Sequence, residues 1–192
     1  MPFFTTKALR ERSQRTYERL GKSASFELRE AAAETGTYNF FLSHSFLDAD
    51  VIRGLRGEIR KMGFSVYVDW VEDAQLDRSR VTRRTAGLLR ERMERCEALL
   101  YASSPNAPSS LWMPWETGYF DGHLGRVAIL PVFESDPQHT QYKGQEYLGL
   151  YPYVIKDRTD RTNKLTLWVH EDGNTYVSAT RWLDGKNPYK RS

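Results

Sequence analysis

Two kinds of hydrophobic pattern alternate along the chain. Short, nearly continuous apolar runs, rich in aromatic and β-branched residues, are typical of strands buried on both faces of a sheet. Such runs occupy residues 38–42, 64–70, 97–102 and 127–133. The stretches between them are polar or place apolar residues three or four positions apart, the spacing of one helix face. Because parallel strands need long, usually helical crossovers, this alternation predicts a small doubly wound α/β domain.

The predicted helices follow the predicted strands. In the first helix the apolar positions recur at helical spacing: Val51, Ile52, Leu55, Ile59 and Met62. Asp48 or Asp50 can cap its start, and Gly63 can end it. The polar stretch VEDAQLDRSR predicts a mobile loop before a second helix over about residues 79–95. The Pro- and Ser-rich loop SSPNAPSS leads into a third helix that opens at Trp112.

The flanks of this pattern differ from its centre. Residues 5–34 are rich in Ala, Leu, Glu, Arg and Lys, which predicts a helical prefix outside the core, broken in two near Gly21. Residues 147–155 predict an extended edge segment. Residues 164–169 and 175–182 alternate on either side of an Asp-Gly-Asn turn, which is typical of a β-hairpin.

These patterns divide the chain into three predicted regions. An N-terminal helical extension covers residues 1–36, and the α/β domain covers residues 37–135. A C-terminal extension that contains the β-hairpin covers residues 136–192.

Composition narrows the function classes. The single cysteine, Cys96, excludes an internal disulfide framework and is expected to be a small buried hydrophobe, and four scattered histidines predict no metal site. The net charge of +3 does not indicate nucleic-acid binding, and Glu11 and Glu18 interrupt the basic N-terminal stretch, which favours a solvated helix face. The longest apolar runs are far shorter than the about 20 residues of a membrane span. Without a secretory-signal pattern, we expect a cytoplasmic protein that binds neither nucleic acid nor membrane.

Candidate chemistry gathers where the predicted strands end. In open α/β sheets, ligands bind outside the carboxyl ends of the strands. Ser43, His44 and Ser45 follow the first strand and begin a helix, whose backbone N–H groups favour a phosphate. Trp112 and Glu116 are four residues apart and therefore share one helix face. No GxGxxG or GxxxxGK[ST] motif occurs, so neither a dinucleotide-type turn nor a P-loop is predicted.

Three motifs in this order point to a family. FLSHS ends the first strand, YVDW ends the second, and SSLW leads from the third into WxxxE. This combination resembles a TIR (Toll/interleukin-1 receptor) domain of the bacterial type found in Thoeris-like antiphage defence, over residues 38 to about 135. The resemblance implies a flavodoxin-like doubly wound parallel sheet, the TIR fold. It also implies cleavage of the nicotinamide–ribose bond of NAD+, giving ADP-ribose, a cyclic isomer or a transfer product that serves as a second messenger.

The resemblance implies roles for particular residues and partners. Glu116 matches the catalytic glutamate of the family. The substrate-binding set that it implies is Ser43, His44, Ser45, Asp69, Trp70 and Trp112. NAD+ is the substrate and no further cofactor or metal is implied. The implied partners are copies of the same chain, assembled into a homo-oligomer, and a separate effector protein that binds the messenger.

Other interpretations of the same residues stay open. Glu116 could be an ordinary exposed helix glutamate, Trp112 could fill the core, His44 could be a hydrogen-bonding loop residue, and Asp69 could cap a loop. We expect Trp115 to pack against the fold or to form an interface. The whole protein could be a non-catalytic TIR adaptor that acts by oligomeric assembly. A transferase acting on nucleosides or nucleotide sugars is a third possibility on a related fold.

Overall fold

The computed structural model describes residues 3–20, 36–72, 82–137, 142, 144 and 146–190. The strands are β1 (Phe4–Thr5), β2 (Tyr38–Ser43), β3 (Val66–Tyr67), β4 (Cys96–Ser103), β5 (Val127–Phe133), β6 (Tyr153–Arg158), β7 (Leu165–His170), β8 (Thr175–Ser178) and β9 (Tyr189–Lys190). The helices are α1 (Thr6–Leu20), α2 (Ala49–Lys61), α3 (Asp69–Glu72), α4 (Arg83–Met93), α5 (Trp112–Leu124) and α6 (Ala179–Leu183). Short 3-10 turns lie at Phe46–Asp48, Ala107–Ser109 and Glu146–Leu150.

The sheet confirms the doubly wound prediction. Its strands lie in the order β3-β2-β4-β5-β6-β7-β8-β9, with β1 paired to the free part of β5. The strands from β3 to β6 pair in parallel, and those from β6 to β9 pair in antiparallel fashion. After β2 the chain forms β3 on one side of β2, and it then crosses over to form β4 on the other side of β2. Strand order therefore reverses between β2 and β4, where such folds place their ligand.

Helices cover both faces of the parallel strands. Successive residues of a strand point to opposite faces, so each strand contributes side chains to two cores. Leu100 of β4 packs in one core with Leu55 of α2. Leu99, its neighbour in sequence, packs in the other core with Met113 of α5. All four side chains are fully buried, so the parallel part of the sheet forms the middle layer of the domain.

The N-terminal segment joins this core. The helical prediction is confirmed by α1, while residues 21–35, with the expected break and second helical piece, lie outside the described residues. The prediction that the prefix stands outside the core is wrong. Phe4 pairs with Val132 of β5, and both Phe4 and Leu9 are buried in the core on the α2 side. The burial of these two apolar side chains removes them from water, which stabilises the docked segment.

A close approach between α1 and α2 holds the segment in place. A Cβ atom on Gly54 would lie 2.8 Å from the Leu9 carbonyl carbon and closer still to its oxygen, so only glycine fits there. One turn further along, the Arg12 guanidinium pairs with the Glu58 carboxylate and donates to the Gly57 carbonyl at 3.3 Å. The two helices therefore touch along their backbones.

The second predicted strand is too long. β3 contains only Val66–Tyr67, whereas Asp69 and Trp70 lie in α3, so the expectation that they end a strand is wrong. The backbone N–H of Val71 donates to the Val68 carbonyl at 3.0 Å and closes a helical turn. The aromatic and β-branched residues at 64–70 favour a strand. The helical turn at Asp69 and Trp70 could not be predicted from them, because tertiary contacts of Trp70 stabilise it.

The C-terminal region also differs from the prediction. Residues 147–155 are not an edge segment, because 3-10 structure precedes β6 and because β6 lies inside the sheet, between β5 and β7. The predicted β-hairpin is confirmed by β7 and β8, which pair at Val169 and Val177. Its second strand ends at Ser178, since the next residues form α6 and bury Trp182 against the core. None of the helices in the described ranges has the length and apolar character that a membrane crossing requires.

Candidate active site

Glu116 lies in a buried position at the carboxyl edge of the sheet. It belongs to the second turn of α5 and is 0% exposed, so it is not an ordinary exposed helix glutamate. Ser43, the last residue of β2, is equally buried and donates a hydrogen bond from Oγ to Glu116 Oε2 at 2.6 Å. The hydrogen bond fixes the carboxylate beside the end of β2, where strand order reverses.

The first turn of α5 packs an aromatic side chain beside this carboxylate. Trp112 is 7% exposed and belongs to the core on the α5 face of the sheet. Its ring meets the half-buried ring of Trp115 edge to face, with centroids 5.5 Å apart. Trp115 in turn stacks on Tyr119 at 5.9 Å and carries the Arg90 guanidinium over its face at 5.4 Å. Trp112 is thus a core residue at the site, and Trp115 packs along the outer face of α5, as expected.

A buried carboxylate anchors the loop before α5. Asp48 occupies the N-cap position of α2, but its side chain makes no capping hydrogen bond. Its two oxygens accept instead from Ser104 Oγ and from Asn106 Nδ2, the latter at 2.7 Å. Sequence analysis treated Asp48 only as a helix cap. In the structure it ties the segment after β2 to the loop after β4 and so holds the two strand ends that border Glu116.

His44, Asp69 and Trp70 form a second group. His44 Nδ1 lies 2.8 Å from the Leu42 carbonyl oxygen, and Trp70 Nε1 donates to His44 Nε2 at 2.9 Å. A carbonyl can only accept and an indole N–H can only donate, so this arrangement requires a neutral ring with its proton on Nδ1. Asp69 Oδ1 lies 3.5 Å from the same Nε2. In this state His44 is a hydrogen-bonding loop residue, since both of its nitrogens are engaged.

The predicted site residues therefore fall into two groups. Trp70 packs against the core on the α2 side. The guanidinium carbon of Arg53 lies over the Trp70 ring, 4.8 Å from the ring centroid. Glu116 and Trp112 lie on the α5 side. Ser45, 3% exposed, is the N-cap of the 3-10 turn after β2 and accepts from the Leu47 N–H at 3.4 Å. In this conformation Ser45 supports the loop.

Three tyrosines at the same edge escaped the sequence analysis. Tyr101 of β4 stands opposite Ser43 in the parallel pairing, is 3% exposed, and forms a side-chain hydrogen bond with Tyr147. Burial, with smaller contributions from the nearby Tyr147, Tyr142 and Glu116 side chains, raises the pKa of Tyr101 to about 12. Tyr101 is the penultimate residue of the strand predicted at 97–102, and this position near the carboxyl end is the signal that could have revealed it. Nothing in the sequence connects Tyr142 and Tyr147 with Glu116. Among the side chains that the structure describes, no group of three or more His, Cys, Asp and Glu is arranged to hold a metal ion.

A flavodoxin-like sheet with a buried glutamate at its carboxyl edge, one helical turn after a tryptophan, defines a TIR-type α/β domain. No family model matches the chain. The "Probable 3' cyclic ADP-D-ribose synthase ThsB'" of Bacillus cereus (strain MSX-D12) is 55% identical over 146 residues, which are 76% of this chain and 75% of that protein. The "Putative cyclic ADP-D-ribose synthase TIR2" of Cytobacillus dafuensis is 31% identical over 83 residues, 43% of this chain and 22% of that protein. The chain belongs to the family of bacterial, Thoeris-like TIR proteins, and the resemblance seen in its motifs is confirmed.

Proposed function

We propose that the protein cleaves the nicotinamide–ribose bond of NAD+ and closes the remaining ADP-ribose into a cyclic second messenger for antiphage defence. One observation carries this proposal: Glu116, fully buried and held by Ser43, lies at the edge where the fold binds ligands. The relative that is 55% identical is named as a 3' cyclic ADP-D-ribose synthase, which supports the same reaction here.

The proposed chemistry needs a single carboxylate. When the glycosidic bond breaks, nicotinamide departs as a neutral molecule with the bonding electron pair, so no acid has to protonate it. Positive charge then develops on the ribose carbon and ring oxygen. A carboxylate aimed at this charge stabilises the transition state, and a site that excludes water strengthens the interaction. Glu116 would supply that carboxylate, and the Ser43 hydroxyl would keep it in one orientation.

The other site residues have supporting roles in this proposal. Trp112 would form an apolar wall beside the ribose and nicotinamide, because its ring is packed one turn before Glu116. Ser43 and Ser45 would line the cleft at the end of β2. His44, Asp69 and Trp70 would shape the opposite side, where the Trp70 indole and the His44 ring hold each other. The loop VEDAQLDRSR follows Trp70 in the sequence, and its residues 73–80 lie outside the described part of the chain.

The proposal includes assembly and location. Large apolar side chains are exposed beyond the carboxyl ends of β2 and β4, at Phe46, Leu47 and Leu111. Apolar surface of this kind is typical of protein interfaces, which supports a homo-oligomer. A released cyclic nucleotide acts only through a protein that binds it, so we include a separate effector. A buried free Cys96 is compatible with the reducing cytoplasm.

Glu116→Gln tests the enzyme directly. The variant keeps the shape and the Ser43 contact but removes the charge, so nicotinamide release from NAD+ should fall at least about 100-fold. The purified proteins are incubated with NAD+ at high protein concentration, and products are resolved by chromatography with mass detection. Glu171→Gln, at an exposed position of the hairpin, is the matched control and should keep full activity.

The product masses separate the alternatives. A product with the mass of NAD+ less nicotinamide is cyclic, and one with an added water is ADP-ribose. Equal activity of Glu116→Gln and wild type would overturn the proposal. A wild type that stays inactive, even with lysate from phage-challenged cells, while Glu116→Gln still supports defence, would indicate an adaptor. Activity on free nucleosides without activity on NAD+ would indicate a transferase.

A further inference from the structure

A cluster of hydroxyl groups lies beside Glu116 and has no assigned role. It consists of Tyr101 and Ser103 of β4 together with Tyr142 and Tyr147, and is called the tyrosine cluster below. Tyr101 and Ser103 are two residues apart in one strand, so their side chains point to the same face. Tyr101 forms a hydrogen bond with Tyr147, and the Ser103 Oγ lies 3.2 Å from the Tyr142 hydroxyl.

The tyrosine cluster adjoins the proposed reaction centre. Ser43 stands opposite Tyr101 in the pairing of β2 with β4, and the same Ser43 donates to the Glu116 carboxylate. The Tyr101 hydroxyl is also close enough to Glu116 for the carboxylate to disfavour tyrosinate formation. A ribose held at Glu116 would therefore have phenolic hydroxyl groups next to it.

The two outer tyrosines come from the segment between β5 and β6. The Tyr142 ring packs against Tyr153 of β6, with centroids 6.1 Å apart. Tyr151 forms a side-chain hydrogen bond with Asp121 of α5 and so fastens the segment at its other end. Tyr142 is half-buried and Tyr147 is 40% exposed, so both can meet a molecule that enters from solvent.

We propose that the tyrosine cluster binds the adenosine-ribose hydroxyl that attacks the reacting carbon, and thereby makes the cyclic product prevail over ADP-ribose. This inference rests on the proposed function. Once nicotinamide leaves, two nucleophiles compete for the ribose carbon: water and a hydroxyl of the same molecule. A sugar hydroxyl is neutral and both donates and accepts hydrogen bonds, and phenolic hydroxyl groups match it on both counts. Holding it near the carbon converts the attack into an intramolecular step, which favours it over attack by water.

The balance of the step is simple. The carbon–nitrogen bond breaks and its electron pair leaves with nicotinamide. The lone pair of the hydroxyl oxygen forms the new carbon–oxygen bond, and the hydroxyl proton passes to the Glu116 carboxylate and then to water. NAD+ therefore gives cyclic ADP-ribose, nicotinamide and one proton, without oxidant or reductant. The high pKa of Tyr101 keeps it protonated near neutral pH, so it binds the hydroxyl and does not act as the base.

Tyr142→Phe, Tyr147→Phe and the double variant test the inference. Each removes one hydroxyl and keeps the ring, so packing is retained. Total nicotinamide release and the ratio of cyclic product to ADP-ribose are measured in the same reaction with NAD+. Each single variant should lower the ratio by about fivefold, the value of one hydrogen bond, and the double variant should lower it further. Tyr189→Phe, at an equally exposed tyrosine in β9, should leave the ratio unchanged.

The outcomes distinguish this inference from the proposed function. If the wild type releases no nicotinamide, the proposed function fails and the inference fails with it. If the wild type makes cyclic product and the double variant has the same ratio, the inference alone is overturned. A parallel loss of both products would also overturn it, because the cluster would then support cleavage and not the choice of acceptor.

Discussion

Replacing Gly54 by alanine tests the contact that docks α1 on α2. The new Cβ would lie 2.8 Å from the Leu9 carbonyl carbon, about 1 Å closer than an ordinary contact between carbon atoms. The atom that it meets belongs to the backbone, so a rotamer change cannot relieve the clash and α1 has to move. Overpacking of this kind costs about 1–3 kcal/mol, and complete undocking of Leu9 costs a similar amount. Alanine recovers about 1 kcal/mol through helix propensity, which offsets part of the loss.

Gly57→Ala is the matched control for this change. It lies on the same helix, but its Cβ would meet only the flexible end of Arg12, 3.3 Å from Nε. We expect Gly54→Ala to lower the free energy of unfolding by about 1–2 kcal/mol and Gly57→Ala to leave it unchanged or raise it by up to about 1 kcal/mol. Urea titration measures both values, and the slope of the unfolding free energy against urea concentration should be the same for the two variants. If the two variants were equally stable, the close approach of α1 and α2 would be refuted.

Three further changes can be tested in the same way. Asp48→Ala removes the acceptor for two donors in the loop after β4 and should lower stability by about 2–4 kcal/mol, whereas Asp50→Ala, at an exposed position, should change it by less than about 0.5 kcal/mol; similar effects in urea titrations would contradict the anchoring role. Burial lowers the pKa of His170, so the unfolded chain binds a proton first as the pH falls below about 6.5 and stability should drop. His170→Phe should flatten this loss between about pH 7 and about pH 5, and an unchanged pH profile would argue against a buried neutral His170. Gly118→Ala should raise the melting temperature, because a Cβ there meets nothing within 4 Å, and a lower value would show a hidden contact.

The central pattern of the fold could be predicted because each parallel strand is a continuous apolar run. The strand at 127–133 was predicted with the bounds that the structure has, since its residues are buried on both faces. The strand pairing of Phe4 could not be predicted, because a two-residue strand has no period and its partner lies far along the chain. The sequence at 147–155 predicts an edge segment, whereas β6 lies between β5 and β7, because the hairpin strand β7 adds to the sheet beyond it.

Only the part of the candidate site that lies within a single helix could be predicted from the sequence. The helical spacing of Trp112 and Glu116 follows from four positions in sequence and needs no tertiary information. The turn at Asp69 and Trp70 is different, since it depends on the His44 ring that accepts from the indole. Tyr147 lies 46 positions after Tyr101, and only the folded chain brings the two hydroxyl groups together. A single sequence does not show which distant segments come into contact.

The pairing of β1 with β5 also bears on how the chain is completed during synthesis. The Thr6 hydroxyl donates to the Glu134 carbonyl, a separation of 128 residues, so the partner of the N-terminal strand leaves the ribosome long after the strand itself. Until then Phe4 has no pairing partner, and β2, β3 and β4 can assemble without it. Contacts between such distant residues form slowly because the loop between them must close first. The N-terminal strand is therefore a late addition to the nascent domain, and a ribosome stalled before residue 127 would present Phe4 to chaperones.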